Sequence, residues 1–316
     1  MSLDNLFPSS NDPESLRVWY ERNFVGTYRS HWYFLRLASA SAFTNVFEAF
    51  VRILKARERG MSKNLPKAEI GLVLTLNYSS FVSGPALGAV LLPIFAIEAF
   101  ISLCGHIALR LKSEYDAFVL AAKGLDDLRP FLERAKKVVE LTGASPLGLE
   151  LAKSVESLFQ FRNSGVHDTP LFQAPGGWAA PAKWGKTKLA DMRSFSDQQF
   201  PRLDDHPMPL SIRHARLSVE VHDHLVGHIL ERSDEQVRVH LQELLSPELR
   251  GFGGIMNDFA KSFRESFSQI EHQWDEEVIP WYESIPRVEL ASVTERLVRR
   301  SRIKLVSPEQ ADRGLS

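Results

Sequence analysis

The sequence predicts a mainly α protein, and three observations predict it. Nearly every patterned segment repeats its apolar residues at three- and four-residue steps, the period of a helix buried on one side. No run alternates apolar and polar residues as a half-buried strand does, and no internal repeat is visible. Helix boundaries are marked by proline, glycine and short polar residues rather than by hairpin turns.

The elements follow in chain order. Asp12, Pro13 and Glu14 open a helix over "DPESLRVWYERNF", with proline where a helix start tolerates it. Residues 29–58 form a long helix, because Phe43, Phe47, Phe50, Val51 and Leu54 share one face. The stretch 81–111 carries only Glu98 and His106 as ionisable groups before Arg110. It is long enough to span a bilayer. Gly84, Pro85, Gly88 and Pro93, and an acid near its centre, argue instead for a buried core helix from about 93 to 112, opened by Pro93. Residues 112–141 are amphipathic, with Gly124 and Pro130 as breaks. Residues 147–163 make a shorter helix on Val155, Leu158 and Phe159. Residues 168–211 hold six prolines and three glycines and read as a long insertion. Helix resumes over 213–245, and a last long helix over 255–278 carries Phe259, Phe263, Phe267, Ile270 and Trp274. The tail after Pro286 is polar and is expected to be loose. The resulting division is 1–88, an N-terminal helical extension; 89–245, a helical core with its insertion; 246–285, the C-terminal long helix; and 286–316, a polar basic tail.

Composition narrows the function classes. Of 316 residues, 44% are hydrophobic and 24% charged, enough apolar material for a substantial core. The formal net charge is −1, so any nucleic-acid binding must come from local patches. The lone cysteine, Cys104, excludes an internal disulfide and a thiolate metal cluster, and a reducing cytoplasmic location is expected. The N-terminal stretch "MSLDNLFPSSNDPESLR" is acidic and interrupted by proline, so it is not expected to act as a signal peptide.

The stretch "SVESLFQFRNSGVHDTP", 154–170, carries the sharpest chemical signal. Leu151, Val155, Leu158 and Arg162 lie four, three and four residues apart, so Arg162 continues a buried stripe. An arginine there needs an acceptor. Gly165 lets the chain turn, and His167 can fold back beside Arg162. Histidine moves protons near neutral pH, and arginine offers a planar fork of donors to a phosphate. Together they suit RNA cleavage, in which the ribose 2′-OH is the nucleophile and no metal is needed. The plainer reading is an arginine paired with a carboxylate and a histidine capping carbonyls.

"FRNSGVHD" resembles the signature of the HEPN superfamily (higher eukaryotes and prokaryotes nucleotide-binding), in which an arginine, a polar residue often asparagine and a following histidine recur. Arg162, Asn163 and His167 match it, and "IFAIEAFISLCGHIALRL" resembles the family's first core helix, which often carries an acid where Glu98 stands. The resemblance covers residues 90–230 or so and leaves 1–60 and 250–316 outside. It implies a small helical bundle and a metal-independent, cofactor-free endoribonuclease that dimerises so that two motifs face each other. His167 and Arg162 would be catalytic, and Asn163 and Glu98 would orient them. Many members act in toxin–antitoxin or phage-defence systems, which implies RNA, a second copy and a cognate antitoxin or sensor protein as partners, and no membrane. Others are catalytically silent nucleotide-binding or scaffold modules. One subgroup has a tyrosine two residues after the histidine; Thr169 stands there, so control through that tyrosine is not implied. Glu98 is either the partner of Arg162 or an ordinary surface acid.

Other constellations are weaker. Trp178 and Trp184 among Lys183, Lys186 and Lys188 can stack and hold single-stranded RNA, or can be an ordinary loop that buries its tryptophans. His224 and His228 are one helical turn apart, but Leu225 follows His224 where a zinc-protease motif has glutamate, so no metal is expected. "GFGG" (251–254) follows no strand and precedes no lysine, and reads as a linker. Arg296, Arg299, Arg300, Arg302 and Lys304 are a solvated tail or a phosphate-attracting arm.

Overall fold

The structure, a computed structural model, describes Ser15 and residues 25–78, 83–112, 124–125, 127–163, 173–174, 177–178, 212–245 and 254–305. It is mainly α. The helices are α1 (Gly26–Ser62), α2 (Lys67–Asn77), α3 (Ser83–Lys112), α4 (Phe131–Leu141), α5 (Leu149–Asn163), α6 (Ile212–Arg232) and α7 (Glu235–Leu245). A 3₁₀ turn (Ile255–Asp258) precedes α8 (Lys261–Gln273), a π-helical turn (Trp274–Val278), α9 (Ile279–Glu283) and α10 (Arg287–Leu305). Within the Pro/Gly-rich stretch, Gln173–Ala174 and Gly177–Trp178 pair as a minimal antiparallel ladder, which the sequence pattern does not anticipate.

Helix α3 is the hub. It packs against α1, α4, α5, α6 and α7. Its Val90, Ile94, Ile97, Phe100, Ile101, Leu103 and Cys104 are fully buried. Both α1 and α3 are long and apolar enough to cross a membrane, but 67% of the most apolar stretch of α3 is buried inside the bundle, against 39% for α1. Most of the apolar surface of this stretch of α3 is thus turned into the bundle. Burial also pushes the Cys104 thiol well up from its ordinary range, which leaves it a small hydrophobe rather than a nucleophile.

Pro93 lies inside α3 rather than at its start. Proline removes one ladder bond and crowds the turn before it. Burial on both sides offsets the loss, since Ala89, Val90, Ile94 and Ala96 are all fully buried. Ser218 on α6 donates to the Val90 carbonyl in that turn at 2.6 Å. Gly105, farther along α3, allows the close approach of α4: an added Cβ would lie 2.5 Å from Leu125 Cδ2 and 2.9 Å from Val138 Cγ2.

An aromatic ladder joins the two ends of the chain. Phe43 of α1 stacks on Phe267 of α8 with centroids 4.3 Å apart, Phe47 meets Phe263 at 4.8 Å, and Phe50 meets Trp274 edge-on at 4.5 Å. The predicted stripe of residues 255–278 therefore packs, but on a broken path of 3₁₀, α and π turns rather than on one helix. The predicted helix over 213–245 is likewise split at Ser233–Asp234, where the Asp234 amide donates to the Thr142 carbonyl at 2.8 Å. Nor are residues 287–305 of the tail loose. They form α10, which packs on α2, with Val293 buried and Leu290 reaching toward Gly71. The many charges of the tail conceal this stripe. Helix α2 itself is not read from the sequence, because its 11 residues give too few turns for a periodic signal.

A buried ionic network locks α6 onto the π turn. Arg216 Nε lies 2.9 Å from Glu271, and its Nη1 2.7 Å from Glu220. These two carboxylates raise the Arg216 pKa despite the opposing effect of burial. Arg213 Nη2 comes within 2.7 Å of Asp275 Oδ2, at an angle that makes no hydrogen bond. Desolvation therefore dominates at Asp275, helped by Glu271 and Glu276 and opposed by Arg213, and its pKa rises to about 6.

Two outcomes follow. Phe43→Ala should destabilise the fold by about 3–5 kcal/mol in denaturant unfolding, because it opens a fully buried site between α1 and α8. At Asp275 the folded carboxyl holds its proton up to about 6, whereas the ordinary carboxyl loses it near 3.8. Its stabilising contribution is complete below 3.8 and is lost as pH rises through 6. Asp275→Asn cannot titrate, so wild type should lose up to ~3 kcal/mol relative to the variant between those two pH values in paired unfolding curves. Parallel curves would contradict this.

Candidate functional site

The α5 stripe behaves as its spacing requires: Val155 and Leu158 are fully buried, Phe159 and Phe161 nearly so. Arg162 continues it at the C-terminal end of α5, with 18% of its side chain exposed. Helix α4 repeats the device. Phe131, Arg134, Ala135, Val138 and Val139 are its buried face, so a second arginine stands in an apolar stripe. Between them, Glu98 projects from the middle of α3.

Glu98 bridges both arginines. Its Oε2 accepts from Arg162 Nη1 at 2.5 Å and its Oε1 from Arg134 Nη2 at 2.8 Å. These are short, charge-assisted bonds, and each oxygen serves a different helix. The guanidiniums also lie over aromatic rings, Arg134 over Phe131 at 5.0 Å and Arg162 over Phe159 at 4.9 Å. Phe131 and Phe159 stack on each other, 3.5 Å apart and 6° from parallel. A compact block results: two stacked rings and two cations, tied across by one carboxylate. Arg134 is the inner cation, with 7% of its side chain exposed, whereas Glu98 is 32% exposed.

The charges decide what the block can do. Among the described residues one carboxylate faces two permanent cations, a net charge of +1 for these three side chains. A partly exposed, net-positive pair of guanidiniums in apolar surroundings attracts an anion with a planar or tetrahedral oxygen array. The same bonds also hold α3, α4 and α5 together, and breaking a buried pair strands a charge.

Glu98 is thus the partner of Arg162 and not an isolated surface acid. Asn163 ends α5, while its side chain, Gly165 and His167 lie outside the described residues. So do the Trp178 side chain, Lys183, Trp184, Lys186 and Lys188. Arg134 is the member of this cluster that the sequence reading missed. Its signal was the one that singled out Arg162, an arginine in a helical apolar stripe, here between Phe131 and Val138.

Two histidines of α6, His222 and His228, are occupied structurally. Trp32 Nε1 donates to His222 Nε2 at 3.3 Å, which makes Nε2 the acceptor and leaves Nδ1 to donate to Asp223 Oδ1 at 2.8 Å. Asp223 in turn accepts from the amides of Ile255 and Met256, which caps the 3₁₀ turn after "GFGG". His228 Nε2 lies 2.7 Å from the Ser145 carbonyl, to which it donates. Among the described residues, no group of three or more His, Cys, Asp or Glu side chains is placed to hold a metal ion. Of the basic residues of the tail, Arg299 pairs with Glu295 at 2.6 Å on the surface of α10.

Comparison with family models, with curated proteins and with solved structures found no match to this chain.

Proposed function

We propose that the protein is a metal-independent endoribonuclease of the HEPN type, with Arg162 and His167 as its catalytic residues. The observation that carries this reading is the Glu98–Arg162 pair: an acid on one core helix holds an arginine at the end of another, directly before Asn163 and His167. A structural arginine needs no histidine five residues on; a phosphate-cleaving one does. The Pro/Gly-rich stretch 168–211 then follows as an insertion in the bundle, and its tryptophans and lysines are candidate contacts for RNA.

The chemistry balances within the substrate. The ribose 2′-oxygen attacks the adjacent phosphorus while a histidine takes its proton. The bond from phosphorus to the 5′-oxygen breaks, and that oxygen takes a proton from an acid. Arg162 stabilises the charge that develops on the phosphate. One His167 cannot be base and acid in the same step, so a twofold dimer supplies the second from its other chain.

A second reading rests on the same pair. The bonds of Glu98 to Arg134 and Arg162 also clip three helices together, as they would in a silent binding or scaffold module. One set of measurements separates the two. His167→Ala should abolish cleavage of single-stranded RNA and leave the circular dichroism spectrum unchanged. Arg162→Ala should slow cleavage by about 10²- to 10³-fold, as loss of one charge-stabilising donor does. Wild-type products should end in 2′,3′-cyclic phosphate and 5′-hydroxyl, and chelators should not inhibit, because the nucleophile belongs to the substrate. A wild-type protein that cleaves no RNA, with Arg162→Ala merely unstable, would favour the scaffold. Sedimentation should show the active species to be a dimer; an active monomer would contradict the shared site.

A further inference from the structure

The compact block on α3, α4 and α5 contains one cation more than an Arg–His motif requires. Had Glu98 paired with Arg162 alone, the two charges would cancel, and the arginine offered to a phosphate would already be neutralised. Arg134 changes this balance. It takes one carboxylate oxygen at 2.8 Å, leaves the other to Arg162, and among the described residues brings these three side chains to a net charge of +1. Its own charge is deeply placed, and its Nε, fully shielded from solvent, makes no hydrogen bond. Only a strong reason keeps a guanidinium in such a place, since its desolvation is costly.

We propose that Arg134 keeps the Glu98–Arg162 pair net cationic, so that the site binds the phosphates of single-stranded RNA, while Glu98 is the positioning residue that holds the Arg162 fork in place. The proposal deepens the ribonuclease reading and rests on it for the identity of the ligand. It also separates two roles that a simple ion pair would merge. Arg134 contributes charge, hence affinity. Glu98 contributes orientation, hence rate, and lowers affinity in doing so.

The test uses a mixed-sequence 2′-O-methyl oligoribonucleotide, which lacks the free 2′-OH and cannot be cleaved, with binding read by fluorescence anisotropy across salt concentrations. Arg134→Gln should weaken binding about tenfold, and its salt slope should fall by about one ion. Arg134→Lys should retain most of the affinity. Glu98→Gln should bind the oligonucleotide more tightly, yet cleave the unmodified RNA with a lower kcat as well as a lower KM. If Arg134→Gln does not fold, the double variant Glu98→Gln/Arg134→Gln keeps the net charge at +1 and should bind within a few-fold of wild type. Unchanged affinity and slope in Arg134→Gln, weaker binding by Glu98→Gln, or a wild type that does not bind the oligonucleotide would each overturn the proposal. A wild type that binds and shows these shifts, yet cleaves no RNA, would uphold it while the ribonuclease reading fell.

Discussion

One carboxylate shared by two arginines is the constraint on which the centre of this protein depends. Glu98 sits in a largely buried helix, where an unpaired charge would be costly. It is tolerated because each of its oxygens meets a guanidinium, and because each guanidinium is in turn covered by a phenylalanine. The bonds set how α4 and α5 lie on α3, and Gly105 provides the clearance that lets α4 come near enough. The arrangement that stabilises the fold thus also concentrates positive charge at the end of α5. Structure and chemistry are not separable at this site.

The rest of the molecule steadies that centre from a distance. The aromatic ladder fixes the C-terminal helices to α1, and α1 packs along α3. The Trp32–His222–Asp223 chain ties α1 to α6 and to the 3₁₀ turn through fully used hydrogen bonds. The Arg213–Arg216 network fastens α6 to α8 and the π turn, and burial there leaves Asp275 protonated more readily than an ordinary aspartate. Glu271 and Asp275, four residues apart, lie on the face turned toward α6.

Much of this was legible in the sequence, for a definite reason. Periodicity reports burial, so the helices, the stripe of Phe43 and Phe50, and the buried direction of Arg162 could all be read from spacing alone. Glu98 stood out because an acid is rare within so apolar a run. What could not be read was long-range pairing. Nothing local to Arg134 says that it meets Glu98, although its place between Phe131 and Val138 carried the same warning as that of Arg162. Pro93 misled because proline usually opens a helix, whereas here burial on both sides carries the helix through it. The α10 stripe was hidden beneath exposed charge, and the π turn by the fact that Trp274 and Val278 still fall on the apolar face. His167 and the tryptophan–lysine stretch lie outside the described residues, so for them spacing and chemistry remain the argument.

The central claim is that Glu98 and Arg162 are energetically coupled and that Arg134 takes part in the coupling. A double-mutant cycle on unfolding free energy, with Glu98→Gln and Arg162→Met measured singly and together, tests it directly. A favourable coupling of about 1–3 kcal/mol is expected, reduced when the cycle is repeated with Arg134→Met as background. A coupling of about zero in both backgrounds would contradict it.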